Sequence, residues 1–313
     1  MTRLALVVGS FAPPTTDDAV VIRRALADGD RVHVLVTEDP LGQTIPPWRA
    51  AVWLGEAFPE LRVHVVPGFA QLAEGDKVGV VGALLGGRAP DVSYGPLAAD
   101  RAVIDDPVAR WDHLLAPARA ALCRRVCLVG AESTGKTTLA RLLAERHRTE
   151  WVREFGRDYT VDKIAAGTND QWDTRDFVTI AQTQQHIEDE AARRSGPLLF
   201  CDTDAFATAV WHERYTGRRS AEVEAIGRRR HYDLYVLTGT DAPYEPDGVR
   251  EGLEIREWMH RRFAEQLALR PEPWMLVTGP VAQRLAAIDS RIDALGLLRA
   301  DSILDPRRFV SAR

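Results

Sequence analysis

Residues 130–137 read Gly-Ala-Glu-Ser-Thr-Gly-Lys-Thr, the pattern G-x-x-x-x-G-K-[ST], and nothing else in the chain limits its fold so strongly. The glycines let the backbone curl so that its N–H groups face an anion. The lysine adds a point charge, and the final hydroxyl is a ligand for Mg²⁺. The flanks agree with this reading. An apolar strand, Val126–Val129, leads into the loop. A helix over Thr137–His147 leaves it, with Leu139, Leu142 and Leu143 on one face. Its N-terminus adds the positive end of a helix. This implies a parallel α/β domain that binds ATP and Mg²⁺, with Gly130, Glu132, Ser133, Thr134, Gly135, Lys136, Thr137 and Thr138 around the phosphates.

Other segments supply partners for that loop. The apolar strand Leu198–Cys201 ends in Asp202, placed to hold Mg²⁺ together with Thr137, and Asp204 follows two residues later. Glu154-Phe-Gly-Arg157-Asp-Tyr follows the short strand Trp151–Val152, where P-loop kinases seat the acceptor. Glu154 is the leading general base and Asp204 the alternative, and Arg157 could steady the acceptor or the transferring phosphoryl. Asp247-Gly-Val-Arg250 reads as a lid. Arg250, and Arg256 on the helix beyond, are placed to neutralise charge developing on phosphates.

The first half alternates short strands with helices, which also points to a parallel sheet. Strands are expected at Arg3–Phe11, Arg31–Thr37, Arg62–Pro67 and Asp91–Tyr94. Helices are expected at Asp17–Ala27, Trp48–Phe58 and Trp111–Leu122, and a glycine-rich segment, Gly79–Gly87, precedes the fourth strand with no helix assigned to it. The expected fold class is therefore α/β with two parallel-sheet domains, over residues 1–122 and 123–300, followed by a tail at 301–313. No Gly/Ser linker separates the domains. Formal net charge is −5, so no strongly basic face is implied and nucleic acid is not a default partner. Three cysteines without metal spacing indicate a reducing compartment. No stretch reaches the roughly 18 apolar residues of a membrane span, so a cytoplasmic protein is expected. A homo-oligomer is compatible with the sequence, which does not define oligomeric state.

The motifs of the second half occur in an order that resembles the ribosylnicotinamide kinase domain of NadR-type proteins. They are GAESTGKTTL, EFGRDY, FCDTD with Trp211–Arg218 after it, and APYEPDGVR, across residues 124 to about 280. The resemblance implies ATP-dependent phosphorylation of the 5′-hydroxyl of nicotinamide riboside to NMN, a step of NAD salvage. Tyr244 stands where the family pattern has Trp. Trp151, Trp172, Trp211 and Tyr244 are the aromatic candidates for stacking on a pyridinium ring.

The first half resembles, in outline, the adenylyltransferase domain that precedes the kinase in this family, a Rossmann-like nucleotidyltransferase fold. Val8–Pro14 matches its opening turn and Trp111–Pro117 its connecting segment. Its two histidines are replaced by Thr15-Thr16-Asp17-Asp18, and carboxylates there repel a triphosphate. The second motif has only Arg101, out of register, and the chain from Tyr94 to Pro107 is too short for the family's next strand. The expectation is a nucleotidyltransferase fold without adenylyltransferase activity. No helix-turn-helix head is expected, since the first strand starts at Arg3. Three alternatives remain open: a bifunctional enzyme that also makes NAD, a nucleotide-sensing regulator, and a P-loop kinase for another nucleoside.

Overall fold

Leu4–Gly9 (β1) is apolar on both faces because it lies inside a sheet, paired in parallel on either side. In the computed structural model, which describes residues 2–39, 45–168, 171–241 and 253–309, the chain forms two units. One is Met1–Leu122 with Arg299–Arg313, the other Cys123–Leu298. Each is built on an all-parallel sheet, so the α/β class read from the sequence is borne out.

In the first unit β1 is followed by α1 (Thr16–Asp28), β2 (Arg31–Val36), α2 (Pro47–Ala57), β3 (Arg62–Val65), α3 (Glu74–Leu84), β4 (Val92–Leu97), α4 (Arg101–Asp105) and α5 (Ala116–Leu122). The strand order is β3-β2-β1-β4. Ala19, Ile22 and Ala25 of α1 and Ala50 and Leu54 of α2 pack on Ala5, Val7, Val32 and Val34. Val80, Val81 and Leu84 of α3 lie against Leu6 and Leu35 of the same sheet and against Phe69, in a 3₁₀ turn after β3.

Two segments differ from the sequence reading. Much of the glycine-rich stretch at 79–87 is helical: α3 carries Glu74 and Asp76 in its first turn, and its apolar contact with the sheet offsets about 1 kcal/mol per glycine. The single helix expected at Trp111–Leu122 is divided. A 3₁₀ turn, Trp111–His113, precedes α5, because Leu114 leaves the helical path to bridge Thr15 in antiparallel fashion.

In the second unit the order is β5 (Arg124–Val129), α6 (Lys136–His147), β6 (Trp151–Val152), α7 (Phe155–Ala165), α8 (Thr174–Ala192), β7 (Leu198–Asp202), α9 (Ala205–Thr216), α10 (Ala221–Arg228), β8 (Leu234–Thr238), α11 (Leu253–Leu267), β9 (Trp274–Val277) and α12 (Val281–Ala294). The sheet runs β6-β7-β5-β8-β9. β5 is central, and Leu139 and Leu143 of α6 with Leu285, Ile288 and Ile292 of α12 pack against it. Phe177, Ile180, Ala205, Val223 and Ile226 from α8, α9 and α10 form a separate core.

The tail expected at 301–313 is corrected. Ala300–Ile303 (α13) and the 3₁₀ turn Pro306–Phe309 fold with the first unit. Phe309 is buried edge-on to Trp53, with ring centroids 5.8 Å apart, and Arg308 donates to the Leu122 carbonyl at 3.1 Å. The second unit accordingly stops at Leu298 rather than 300.

Candidate active site

The phosphate loop leaves the carboxyl end of β5, at the centre of the sheet, and enters α6. Gly130 has φ 144°, and a Cβ there would lie 2.5 Å from Thr238 Oγ1 on the neighbouring β8, so only glycine fits. Gly135, at φ 87°, begins α6 in the left-handed region. The Thr134 and Thr238 hydroxyls meet at 2.6 Å, and Lys136 Nζ donates to the Ala131 carbonyl at 2.9 Å. No acidic residue occupies the first turn of α6, so its positive end is not neutralised by its own sequence.

A buried arginine that sequence reasoning missed, Arg284 of α12, braces the loop. It donates to Thr134 O at 2.8 Å, Gly279 O at 2.7 Å and Asp241 Oδ1 at 2.8 Å. Arg256 has a related place. It is buried and donates to the Ser133 carbonyl at 3.2 Å, which makes it a brace of the loop rather than a wall of the cavity. Arg250, Tyr244 and the rest of the expected lid lie outside the described residues.

Parallel pairing sets Leu128 of β5 beside Asp202 of β7, and so brings this carboxylate to the loop. The Thr137 hydroxyl donates to Asp202 Oδ2 at 2.5 Å, whereas Oδ1 is buried without a protein partner. Burial pushes the Asp202 carboxyl above its ordinary range, against the opposing effects of Lys136 and the Thr137 bond. Thr203 then takes φ 69°, a left-handed conformation costly for a β-branched residue. This turn sends Asp204 elsewhere. Fully buried, Asp204 caps α9 through Ala207 N–H at 2.8 Å and accepts the Tyr235 hydroxyl at 2.7 Å. Asp204, the alternative base of the sequence reading, is thus a cap of α9 and does not line the cavity that holds Glu154.

Glu132, Ser133, Thr134, Gly135, Lys136, Thr137 and Thr138 line a cavity of about 520 Å³. The same cavity is lined by Glu154 and Arg157, which join it at the start of α7. The backbone on both sides of Glu154 is fixed by Gln184, a buried residue of α8. Its amide accepts Phe155 N–H at 2.9 Å and donates to Arg153 O at 3.3 Å. Removal from water pushes the Glu154 carboxyl up to about 7, with Asp202 and Glu132 adding to the effect and Lys136 and Arg157 opposing it.

The same cavity is also lined by four aromatic side chains, Trp172, Phe177, Trp211 and Tyr215. Trp172 and Tyr215 lie 4.7 Å apart between centroids, and Trp211 is nearly parallel to Tyr215 at 6.2 Å. Arg214 covers a face of Tyr215 at 4.1 Å and Lys163 one of Trp172 at 4.9 Å. The sequence singled out Trp172 and Trp211 but not Phe177 or Tyr215. The signal for Tyr215 was its spacing of four from Trp211, one turn on α9. Trp151 instead packs on the sheet core.

The three cysteines are buried. Cys127 and Cys201 sit side by side on β5 and β7, and burial pushes both thiols well above their usual range. Among the described residues no helix is long and apolar enough to cross a membrane.

Comparison with known proteins agrees with the resemblance drawn from the motifs. Over 146 residues, 47% of this chain, it is 29% identical to the trifunctional NAD biosynthesis/regulator protein NadR of Escherichia coli (strain K12), and equally so to that of Salmonella typhimurium (strain LT2). The matched segment spans 35% of the length of those relatives. Two solved structures share the fold across both units. One is a NadR protein in complex with NR (TM-score 0.68, 20% identity, 95% of this chain and 97% of that one). The other is a NadR protein in complex with NAD and AMP-PNP (TM-score 0.65, 19% identity, the same coverage). The family model described as AAA domain matches residues 125–284, just over half of the chain, and the protein therefore belongs to the AAA-domain family.

Proposed function

We propose that the second unit transfers the γ-phosphoryl group of ATP to the 5′-hydroxyl of nicotinamide riboside, giving NMN. One observation carries this reading: a single cavity joins the phosphate loop, the Glu154–Arg157 pair and an aromatic wall. The kinship with NadR proteins supports the choice of acceptor.

The residues present fit Mg²⁺. Asp202 Oδ1 is a buried carboxylate oxygen without a protein partner, and the Thr137 hydroxyl lies beside the same carboxylate. Thr137 and Asp202 would hold the ion, which supplies charge neutralisation on the phosphates. The loop N–H groups and the α6 terminus bind the phosphates, and Lys136 exchanges its bond to Ala131 O for a phosphate oxygen. Glu154 accepts the proton of the attacking hydroxyl. A carboxyl at about 7 is half in the base form near neutral pH. Arg157 stabilises the transferring group. Trp172, Trp211 and Tyr215 offer flat faces to the cationic ring of the acceptor.

The first unit, on this reading, does not transfer adenylyl groups. Thr15 and Asp18, where the resembling family has histidines, are tied to one another in a capping box of α1. Purified protein given nicotinamide riboside, ATP and Mg²⁺ should form NMN and ADP, with thymidine and uridine much poorer acceptors. Equal or better turnover of either nucleoside overturns the acceptor assignment. In a parallel reaction NMN and ATP should give no NAD or pyrophosphate, and rapid formation of both overturns the reading of the first unit.

A further inference from the structure

In the first unit, Asp17, Asp100 and His113 come from three separate chain segments: the first turn of α1, the N-cap of α4 and the 3₁₀ turn before α5. One ligand atom from each lies within 4.8 Å of those of the other two. We propose that these three side chains bind a divalent transition cation of the Mn²⁺ or Zn²⁺ class. The proposal stands on the geometry of the first unit and is independent of the phosphotransferase reading.

Backbone bonds that do not use the three ligand atoms hold the segments together. Thr15 and Leu114 form an antiparallel bridge, and Leu115 N–H donates to Pro14 O at 3.0 Å, which fixes His113 against the start of α1. Ser10 N–H donates to Leu97 O at 3.1 Å, joining the chain that leaves β1 to the chain that leads to Asp100. The capping box of Thr15 and Asp18 sets the first turn that carries Asp17. The donors are thus brought together before any ligand arrives, which lowers the ordering cost of binding.

Among the described residues no basic side chain pairs with the two carboxylates: no lysine or arginine forms an ion pair with Asp17 or Asp100, and the adjacent Arg101 is paired with Asp105 at 3.3 Å. Asp100 uses one oxygen, Oδ1, to cap Ala102 N–H at 3.0 Å and Val103 N–H at 3.3 Å, leaving Oδ2. The His113 ring makes no hydrogen bond to either carboxylate. Carboxylates at helix starts are ordinary caps. An imidazole brought to two of them from a third segment, without pairing to either, is not explained by capping.

The place also points to a ligand. The strand order β3-β2-β1-β4 reverses its winding between β1 and β4, and open parallel sheets bind ligands outside the carboxyl ends of the strands at such a reversal. Asp17 follows β1 and Asp100 follows β4. Two carboxylates alone suit Mg²⁺ or Ca²⁺, whereas the added imidazole favours a transition cation. Three protein ligands leave coordination positions open to water or to an anionic oxygen.

The test is titration of the full chain, free of nucleotide, with Mn²⁺ followed by electron paramagnetic resonance of the free ion, and with Zn²⁺ by calorimetry. One equivalent should bind that persists in Asp202→Asn. Asp17→Asn, Asp100→Asn (which keeps a capping side chain) and His113→Ala should each weaken binding at least about tenfold. Asp202→Asn, which removes the carboxylate at the phosphate loop, should leave this equivalent in place. Circular dichroism checks that each variant is folded. The proposal is overturned if no equivalent binds at millimolar Mn²⁺, if the Asp17 and His113 variants bind as the unaltered chain does, or if Asp202→Asn removes the binding.

Discussion

Thr137 at the start of α6 and Asp202 at the end of β7 meet at 2.5 Å, hydroxyl to carboxylate, across 65 residues of sequence. The pair leaves the second carboxylate oxygen buried and without a hydrogen-bond partner, and the proposed function gives that oxygen to Mg²⁺. Asp202→Asn keeps the shape and removes the charge. It should raise the Mg²⁺ concentration needed for half-maximal turnover at least about tenfold and lower kcat. An unchanged Mg²⁺ dependence would separate Asp202 from the metal.

Lys136 is buried in the loop, and its ammonium rests on a backbone carbonyl from which it can turn to a phosphate. On the proposed function, Lys136→Ala removes a buried charge that acts on the transferring group. The expected loss in kcat is about 100-fold or more, a difference of roughly 3 kcal/mol. Turnover retained within about twofold would contradict an ATP site here.

Removal from water beside two other acids pushes the Glu154 carboxyl up to about 7. With Glu154 as the proposed base, its ionised form is the active one, and kcat should rise with pH through about 7. Glu154→Gln should abolish that limb and lower kcat about 100-fold, with KM for the acceptor nearly kept. Stability runs the other way. A carboxyl raised from 4.5 on folding contributes stability fully present below 4.5 and lost as pH rises through about 7. Glu154→Gln should therefore melt higher than the unaltered chain at pH 8. A pH–rate profile that keeps its limb in the variant would move the base elsewhere.

Asp204 is a structural acid. Asp204→Ala leaves the Ala207 N–H and the buried Tyr235 hydroxyl without their acceptor, a cost of about 2–3 kcal/mol measurable by urea unfolding. Below the unfolding transition, kcat should fall much less than in Glu154→Gln. If kcat collapses while the urea midpoint stays put, Asp204 belongs to the chemistry after all.

The contrast between Asp202 and Asp204 marks how far the sequence could be read. The phosphate loop is legible because its chemistry dictates a local string of residues. The parallel sheets are legible because strands buried on both faces must be apolar throughout. The fate of two carboxylates separated by a single residue depends on the backbone at that residue, Thr203, for which no side-chain type is a signal. Thr238 and Arg284 support the loop from 104 and 150 residues away, and nothing local announces either. α7 carries Glu154 at its N-cap but buries none of its residues, so it lacks the apolar period by which a helix is recognised.

The C-terminal segment is the converse case, a stretch that looked like a tail because it is short and charged. Its largest buried side chain is Phe309, with Ile303 and Leu304 also buried. Phe309 lies edge-on to Trp53, with the Arg49 guanidinium 5.6 Å from its ring centroid, and it is 3% exposed. Neither neighbour is near it in sequence, so periodicity gave no warning. Truncation of a buried phenylalanine costs about 3 kcal/mol or more when the site cannot collapse, and Trp53 is itself fully buried and fixed. Phe309→Ala should lower the melting temperature of the first unit by several degrees in calorimetry. It should leave phosphoryl transfer by the second unit unchanged at temperatures where both units are folded. A melting profile identical to that of the unaltered chain would return residues 301–313 to the status of a tail.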